Sequence, residues 1–526
     1  MFKSSSLWAK AFVCFLGGGE LLLVTSKAAG LPRIEPLEIH QYDPDRPGQS
    51  ASDLVSLAPD RFIIADHVLH RFYVMDASGR ELSNFPMPPG FRVKQVATFP
   101  DRVELLDLER SKKIVWSRSN SSGVTPPSSA PEQDLSGKDP ARLAATFVRN
   151  TAARVTSLVP NGSGKESKLS ARSIGVGYMM SITYIGQDAA GIRYSLAREV
   201  DVKDGQLFVR LSAASHDSTG KRMNMVEIAL ACMAKVPAGN YVTPTPDGRI
   251  AYLLTTKRGG KRQLNLVVSD LRPAPATRRD AVIDCRDEHL RPHPIERKEV
   301  ADDFTADGDI ADHDSADTPA AELRLPSKSE MRRTISSYLN IRVPVTNANY
   351  GPPNDVCPAD GKTPGFTRPR TIEASMIGRD AIIPMPYGWG NKDTPKQFLD
   401  RIIAAENASW IGNICTNRGG GLGRRTAGVD CSGLVSNVWG IAPRSTSELQ
   451  EAAVSRPVAD ISRMRFGDIY NAPGDHVRLH LRLVTDAHEG DIIRTVESTT
   501  ACEGVCIHNL HIDHFNGFWL RRQNGR

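Results

Sequence analysis

The sequence predicts a multidomain protein with an all-β N-terminal half and an α+β C-terminal domain. Three observations carry that expectation. The chain has 526 residues, too many for one hydrophobic core. From residue 31 to residue 295, short apolar runs alternate with Asp-, Gly- and Pro-containing turns, the pattern of hairpin-connected strands. Beyond residue 328 the period changes, and helix-spaced apolar residues stand between strand-like runs.

In the N-terminal half, Phe62-Ile63-Ile64-Ala65 and Phe72-Tyr73-Val74-Met75 read as strands, the second closed by Asp76-Ala77-Ser78-Gly79. Residues 103–108 and Ile114-Val115-Trp116 continue at hairpin spacing. The Ser-, Pro- and Gly-rich stretch 117–138 reads as a loop. Strand runs resume at 179–184, 207–211, 250–254 and 264–268, with turns at Pro246-Asp247-Gly248-Arg249 and Gly259-Gly260-Lys261. "DRFIIADHVLHRFYVMDASGREL" and "PDGRIAYLLTTKRGGKRQLNLVV" resemble β-propeller blades. At about 40–45 residues per blade, about 250 residues would make five or six blades. A tandem of small β-barrels is the alternative, since alternating strands with Asp/Gly turns serve many all-β folds.

Residues 296–327 are the expected interdomain linker. Within them, 301–317 carry seven Asp and no Lys or Arg, a self-repelling, solvated composition. They lack the spaced Gly and closing Glu of a calcium loop. A helix is expected at 329–339, opening the C-terminal domain at 328–526.

Hydrophobic residues make up 40% and charged residues 24%, which excludes global disorder. A net charge of +6 favours approach to an anionic polymer. No dense Lys/Arg stripe with interleaved aromatics is present, so nucleic acid is not the expected partner. Residues 1–29 read as a cleaved signal peptide: Lys3 and Lys10, an apolar stretch 11–24, then Ala28, Ala29 and Gly30. Glu20 makes this a poor membrane span, and no other stretch is long and apolar enough. The expectation is an exported protein, periplasmic, in the envelope or secreted, with no stable membrane insertion after processing.

Eight cysteines are present, and loss of Cys14 with the leader leaves an odd number, so at least one thiol stays free. Cys232–Cys285, Cys357–Cys415 and Cys502–Cys506 are the expected pairs. The run Cys502-x3-Cys506-x-His508-x2-His511-x2-His514 is rich in zinc-type ligands. His508 and His511 would face opposite ways on a strand, so a small disulfide loop is the expected use of the two cysteines. No metal and no cofactor is expected.

Cys431 is the candidate for chemistry. In Gly428-Val429-Asp430-Cys431-Ser432-Gly433-Leu434-Val435, the apolar spacing of Leu434, Val435, Val438 and Trp439 is helical. That puts Cys431 in a first helical turn, where free N–H groups and the macrodipole favour the thiolate. Ser432 and Gly433 are expected to keep the turn open to a substrate. By itself such a cysteine is more often a small core residue or a disulfide half. A thiol hydrolase also needs a base in reach. His476 follows the turn Pro473-Gly474 at the head of a strand-like run 477–484. His480 faces the same way about 13 Å further on, so only one of them can serve. Glu497 on the next strand is the candidate to orient the imidazole, with His508 and His511 as alternatives.

These residues carry a resemblance. "GVDCSGLVSNVWG" resembles the nucleophile motif of NlpC/P60-type papain-like cysteine peptidases, which act on bacterial cell walls. "PMPYGWGN" resembles that family's Pro-Tyr-x-Trp-Gly-Gly element, and "RFGDIYNAPGDHVRL" its Gly-Asp element followed by the base histidine. The resemblance spans about residues 380–526 and implies a papain-like α+β domain. It places Cys431 as nucleophile, His476 as base and Glu497 near the third polar position. Tyr387, Asp430 and Ser432 fall where the family lines its pocket and reads a free amine. Its implied substrate is the peptidoglycan stem peptide, at the bond from γ-D-glutamate to a diamino acid. Asn391 departs from the motif's second Gly. The approach from Tyr387 to Cys431 is long, with a helix expected from a Thr394 cap and Pro395, its apolar face made by Phe398, Ile402 and Ile403. Two rival readings remain: a wall-binding or scaffolding protein with an inert peptidase fold and an unknown ligand on the β-rich half, and an amidase or acyltransferase on another acyl substrate.

Overall fold

The computed structural model describes residues 33–36, 51–117, 133–134, 146–273 and 325–526, except for 67–69, 89–90, 92, 94, 99–101, 108–111, 153, 161–165, 174–176, 229, 231–239, 259–260, 354–364, 417–424 and 487–489. The expected signal peptide, the acidic stretch 301–317, most of the 117–138 loop, and Cys232, Cys285 and Cys357 lie outside the described residues. Among those described, antiparallel strands dominate and helices are few.

The strand-like runs of the N-terminal half fall inside strands, save that Leu108, at the end of the 103–108 run, lies outside the described residues. Ala51–Ala58, Arg61–Asp66, Arg71–Asp76 and Glu81–Pro86 form a four-stranded antiparallel meander. Gln95–Thr98, Arg102–Asp107, Lys112–Ser117 and Gln133–Asp134 form a second. Thr146–Thr151, Arg154–Pro160 and Glu166–Arg172 form a three-stranded sheet. Tyr178–Gln187, Arg193–Lys203, Gln206–His216 and Arg222–Ile228 follow as neighbouring antiparallel strands. The early strand Arg33–Pro36 then pairs with Lys261–Ser269, beside Ile250–Arg258 and Val242–Pro244, so the first strand covers the edge of the last hairpin.

The hairpins repeat one turn. Asp76 accepts from the N–H groups of Ser78 and Arg80 at 2.9 and 3.0 Å, and Gly79 has φ 81°. Asp217 does the same for Thr219 and Lys221, each at 2.9 Å, with Gly220 at φ 82°. The Asp carboxylate holds the loop's N–H groups, and the positive φ three residues on closes it at no steric cost only for Gly.

The C-terminal region opens with helix α1 (Lys328–Leu339), fixed by a capping box between Ser327 and Glu330. Helix α2 (Pro395–Ile402) starts as expected, with Thr394 as cap and Pro395 in the first turn. It buries Phe398 and Ile402, but Ile403 is the C-cap residue and is 58% exposed, so it leaves the expected apolar face. Helix α3 (Cys431–Trp439) ends at Gly440 in the left-handed region. It is followed by β1 (Ile469–Ala472), β2 (His476–Asp486), β3 (Gly490–Thr499), β4 (Gly504–Leu510) and β5 (Trp519–Gln523).

These strands continue the sheet that holds 178–228. The order runs from Tyr178–Gln187 through Gln206–His216 to β5, then β1, β2, β3 and β4, eleven strands with their side branches. The join is the Gln206–Trp519 pair, reinforced by Leu207 N–H to Phe518 C=O and Leu520 N–H to Gly205 C=O, both 2.8 Å. Alternation then serves two cores. Val477, Leu479, Val496 and Val505 pack with Leu434, Val438 and Trp439 of α3. Tyr470, Ile493 and Leu520 point the other way, among Leu207, Leu211 and Tyr241 of the β-rich half. Residues 32–526 make one compact unit. No helix among the described residues is long and apolar enough to cross a membrane.

Candidate active site

Asp430 is the N-cap of α3. Its Oδ1 accepts from Gly433 N–H at 2.7 Å, which sets Cys431 as the first helical residue, as its sequence context predicts. Cys431 is the one free cysteine among the described residues and is 8% exposed. Gly433 is needed for a different reason from the one expected. A Cβ there would lie 2.9 Å from Asn391 O and Lys392 Cα, and Ser432 is 4% exposed, so this side of the turn is filled by the chain itself.

The filling segment is 384–393, which carries only isolated β-bridges. Val429 N–H donates to Pro386 C=O at 3.1 Å and Asp430 N–H to Asn391 C=O at 2.9 Å. Asn391, the departure from the expected Gly, uses its amide to reach Thr426 C=O at 2.9 Å. Tyr387 is thereby held against the helix start. Burial, with the negative charge of Cys431 and Asp430, pushes its phenol well above the ordinary range.

His476 heads β2 and is half-buried. Its Nε2 meets Glu497 Oε2 on β3 at 2.5 Å, and the same imidazole engages the Cys431 thiol. With Nε2 committed to Glu497, Nδ1 is the nitrogen left for sulfur. Burial opposes a charge on His476, but hydrogen bonds and charge from Cys431 and Glu497 override it and push the pKa up to about 9. Glu497 is 2% exposed. Burial opposes its ionisation, yet Arg478 Nε at 2.9 Å, His476 and His508 hold it well below the usual carboxylate range. His508 donates from Nδ1 to Glu497 Oε1 at 2.8 Å.

The structure brings Cys431, His476, Glu497, Tyr387, Asp430 and Ser432 into one neighbourhood. His480 is set apart: it is 3% exposed, bonded through Nδ1 to Tyr470 Oη at 3.0 Å, and burial lowers its pKa to about 4. His508 sits on the far oxygen of Glu497 rather than on His476. His511, its pKa lowered to about 3 by burial, belongs with Asp513. Cys502–Cys506 is a disulfide, as expected. Cys415 is disulfide-bonded too, while the expected partner Cys357 lies outside the described residues.

Lys392 and Arg478 are missing from the sequence reading. The Lys392 ammonium contacts both Asp430 oxygens at 2.9 Å and also bonds Ser432 Oγ. Its signal is weak, a Lys directly after the "PMPYGWGN" run. Arg478 had a better one, since it alternates with His476 and His480 on one strand face.

As chemistry, this is a thiol at a helix N-terminus, an imidazole held in one orientation, and a buried carboxylate behind it. Such a set can form a thiolate, attack an acyl carbon and return a proton to a leaving group.

No protein-family model and no curated protein matches the chain. Among solved structures, the chain is similar to a member of the DUF4221 family from Bacteroides vulgatus, at 10% identity and a TM-score of 0.26, over 47% of this chain and 98% of that one. It is similar to Myxococcus xanthus glutaminyl cyclase at 12% identity and 0.21, over 46% and 97%. A catalytically inactive virginiamycin B lyase from Staphylococcus aureus with quinupristin follows at 9% and 0.17, over 47% and 76%. At these scores the likeness carries no conclusion.

Proposed function

We propose that this chain is an exported papain-like cysteine hydrolase that cleaves an amide bond in peptidoglycan stem peptides, at the γ-D-glutamyl–diamino acid link. The observation that carries the reading is the Cys431–His476–Glu497 relay at the start of α3. The Cys431 thiolate adds to the amide carbonyl, and its own backbone N–H faces the developing oxyanion. His476 gives its proton to the leaving nitrogen, and the C–N bond breaks to leave a thioester. The neutral imidazole then takes a proton from water, which attacks the thioester, and the C–S bond breaks to release the carboxylic acid and restore the Cys431 thiolate beside the His476 imidazolium. Glu497 stays ionised throughout and steadies the imidazolium.

The β-rich half fits a propeller-like array that holds the hydrolase at its polymer. Successive antiparallel sheets, and an early strand that covers the last hairpin, support that reading. Its ligand is left open.

One observation favours a variant of the substrate. Lys392 already neutralises Asp430 and occupies Ser432, so a substrate's free amine meets no unfilled carboxylate there. An N-acylated stem peptide, or another amide, suits this pocket better.

Incubating purified cell wall and defined muropeptides with wild type and Cys431→Ala, with products read by mass spectrometry, tests the reading. Loss of one specific amide cleavage in the variant is expected. Equal product from both proteins would sink the enzyme reading and leave a wall-binding role.

A further inference from the structure

We propose that Cys502, Cys506 and His508 form a redox-gated metal site: closed as a disulfide, and after reduction a two-thiolate, one-imidazole seat for a thiophilic divalent cation such as Zn²⁺. The proposal stands whichever bond Cys431 attacks.

The imidazole carries the argument. His508 Nδ1 faces Glu497 Oε1 at 2.8 Å, and the carboxylate, already accepting from Arg478 Nε at 2.9 Å, acts as acceptor there, so Nδ1 is the donor. Nε2 is then a lone-pair nitrogen, and it points at two sulfurs, Cys502 Sγ at 3.0 Å and Cys506 Sγ at 3.5 Å. A disulfide offers that lone pair no proton, so the contact is not a working hydrogen bond. It is, however, the arrangement of a metal-binding histidine: one nitrogen on a carboxylate, the other aimed at the metal. The three ligand atoms lie within 4.8 Å of one another and all three residues are partly exposed, open to a reductant and to an ion. Cys506 and His508 stand two apart on β4 and share a face, while Cys502 comes from the turn before it. His511 and His514 take no part; they lie beside Asp513.

The opening step needs a dithiol reductant. Its two thiols attack the Cys502–Cys506 bond in turn, pass two electrons and two protons to the sulfurs, and leave as a disulfide. The cation then displaces both thiol protons to solvent and takes Nε2 as its third ligand, leaving one position for water. Glu497 links the site to the relay, since its other oxygen holds His476. A bound cation would fix the Glu497 carboxylate from behind.

The test uses the full chain carrying Cys431→Ser, which removes the one cysteine that is free before reduction among the described residues. The protein is reduced with a dithiol, freed of it without air, and titrated with Co²⁺. A thiolate-to-cobalt charge-transfer band that saturates at one ion per chain is expected, absent before reduction. His508→Ala is expected to weaken binding at least tenfold, and Glu497→Gln by about 10–100-fold. A reduced chain with no band, or a band unchanged in the Cys502→Ser/Cys506→Ser protein, overturns the site. Independently of any variant at the site, Co²⁺ should raise the melting temperature of the reduced chain, and an unmoved melting temperature counts against it.

Discussion

His476 and Glu497 meet across β2 and β3, Nε2 to Oε2 at 2.5 Å, and against the opposing effect of burial the hydrogen bond to Cys431 together with this contact pushes the imidazole's pKa up to about 9. A raised folded-state value near 9 against an ordinary 6.5 means that the stabilisation is complete below about 6.5 and lost as pH rises through about 9. Turnover should fall over the same alkaline range, because the imidazolium is the acid for the leaving group. In Glu497→Gln the alkaline limb should move to lower pH and turnover drop by about 10²-fold or more. A pH–rate profile of the two proteins checks this, and an unmoved limb would contradict the assignment.

The two strand histidines separate cleanly. His476→Gln should lower turnover by about 10²–10⁴-fold with little change in binding. His480→Gln should leave turnover within a few-fold and lower stability by about 1 kcal/mol, through the lost bond to Tyr470. Steady-state kinetics with thermal melts distinguish them; the opposite pattern would exchange their roles.

Acid should loosen this protein early. His216, His480 and His514 are held near 4 and His511 near 3, each chiefly by burial. Depressed values on histidine stabilise the fold above about 6.5, and that stabilisation is lost as pH falls toward 4. Each group contributes a slope of on the order of 1.4 kcal/mol per pH unit in that window. Denaturant melts between pH 7 and 4 should show a steep fall in stability, and a flat profile would refute it.

Lys392→Met removes the cation from beside the Asp430 carboxylate and Ser432. Substrates carrying a free amine near the cleaved bond should then improve relative to their N-acetylated forms, by about tenfold in kcat/KM. Paired assays on the two forms measure the ratio, and an unchanged ratio removes Lys392 from specificity.

Arg198 Nε and Asp513 Oδ1 lie 2.8 Å apart, both buried, with Tyr241 Oη on the second carboxylate oxygen at 2.7 Å. Asp513→Asn leaves a buried guanidinium uncompensated and should cost about 3–5 kcal/mol. Urea unfolding reads this directly. A cost under about 1 kcal/mol would show the pair to be solvated in practice.

Local signals were the legible ones. The helix start at Cys431, the Thr394–Pro395 start of α2 and the strands around the Asp76 and Asp247 turns rest on neighbours within a few residues. So do the turns at Asp188 and Asp217, which repeat the Asp-x-x-Gly spacing of the Asp76 turn. What sequence did not reveal depends on register. Arg478 and Glu497 become partners because Leu479 pairs with Val496, and His508 joins them because Thr495 pairs with it. No periodicity announces such pairings. The join of Gln206 to Trp519 is more remote still, and two apolar faces on one strand look the same whether they serve one core or two.

That join bears on how the protein can be cut. Excising 328–526 as a portable enzyme would strip the partners from Tyr470, Ile493, Phe515 and Leu520. It would also remove Arg198 from Asp513, one residue from the His514 carbonyl that holds Arg478 at 3.0 Å, and Arg478 in turn holds Glu497. The smallest transplantable unit therefore includes the β-rich half, and a truncated fragment would present its raw apolar flank to other copies and aggregate.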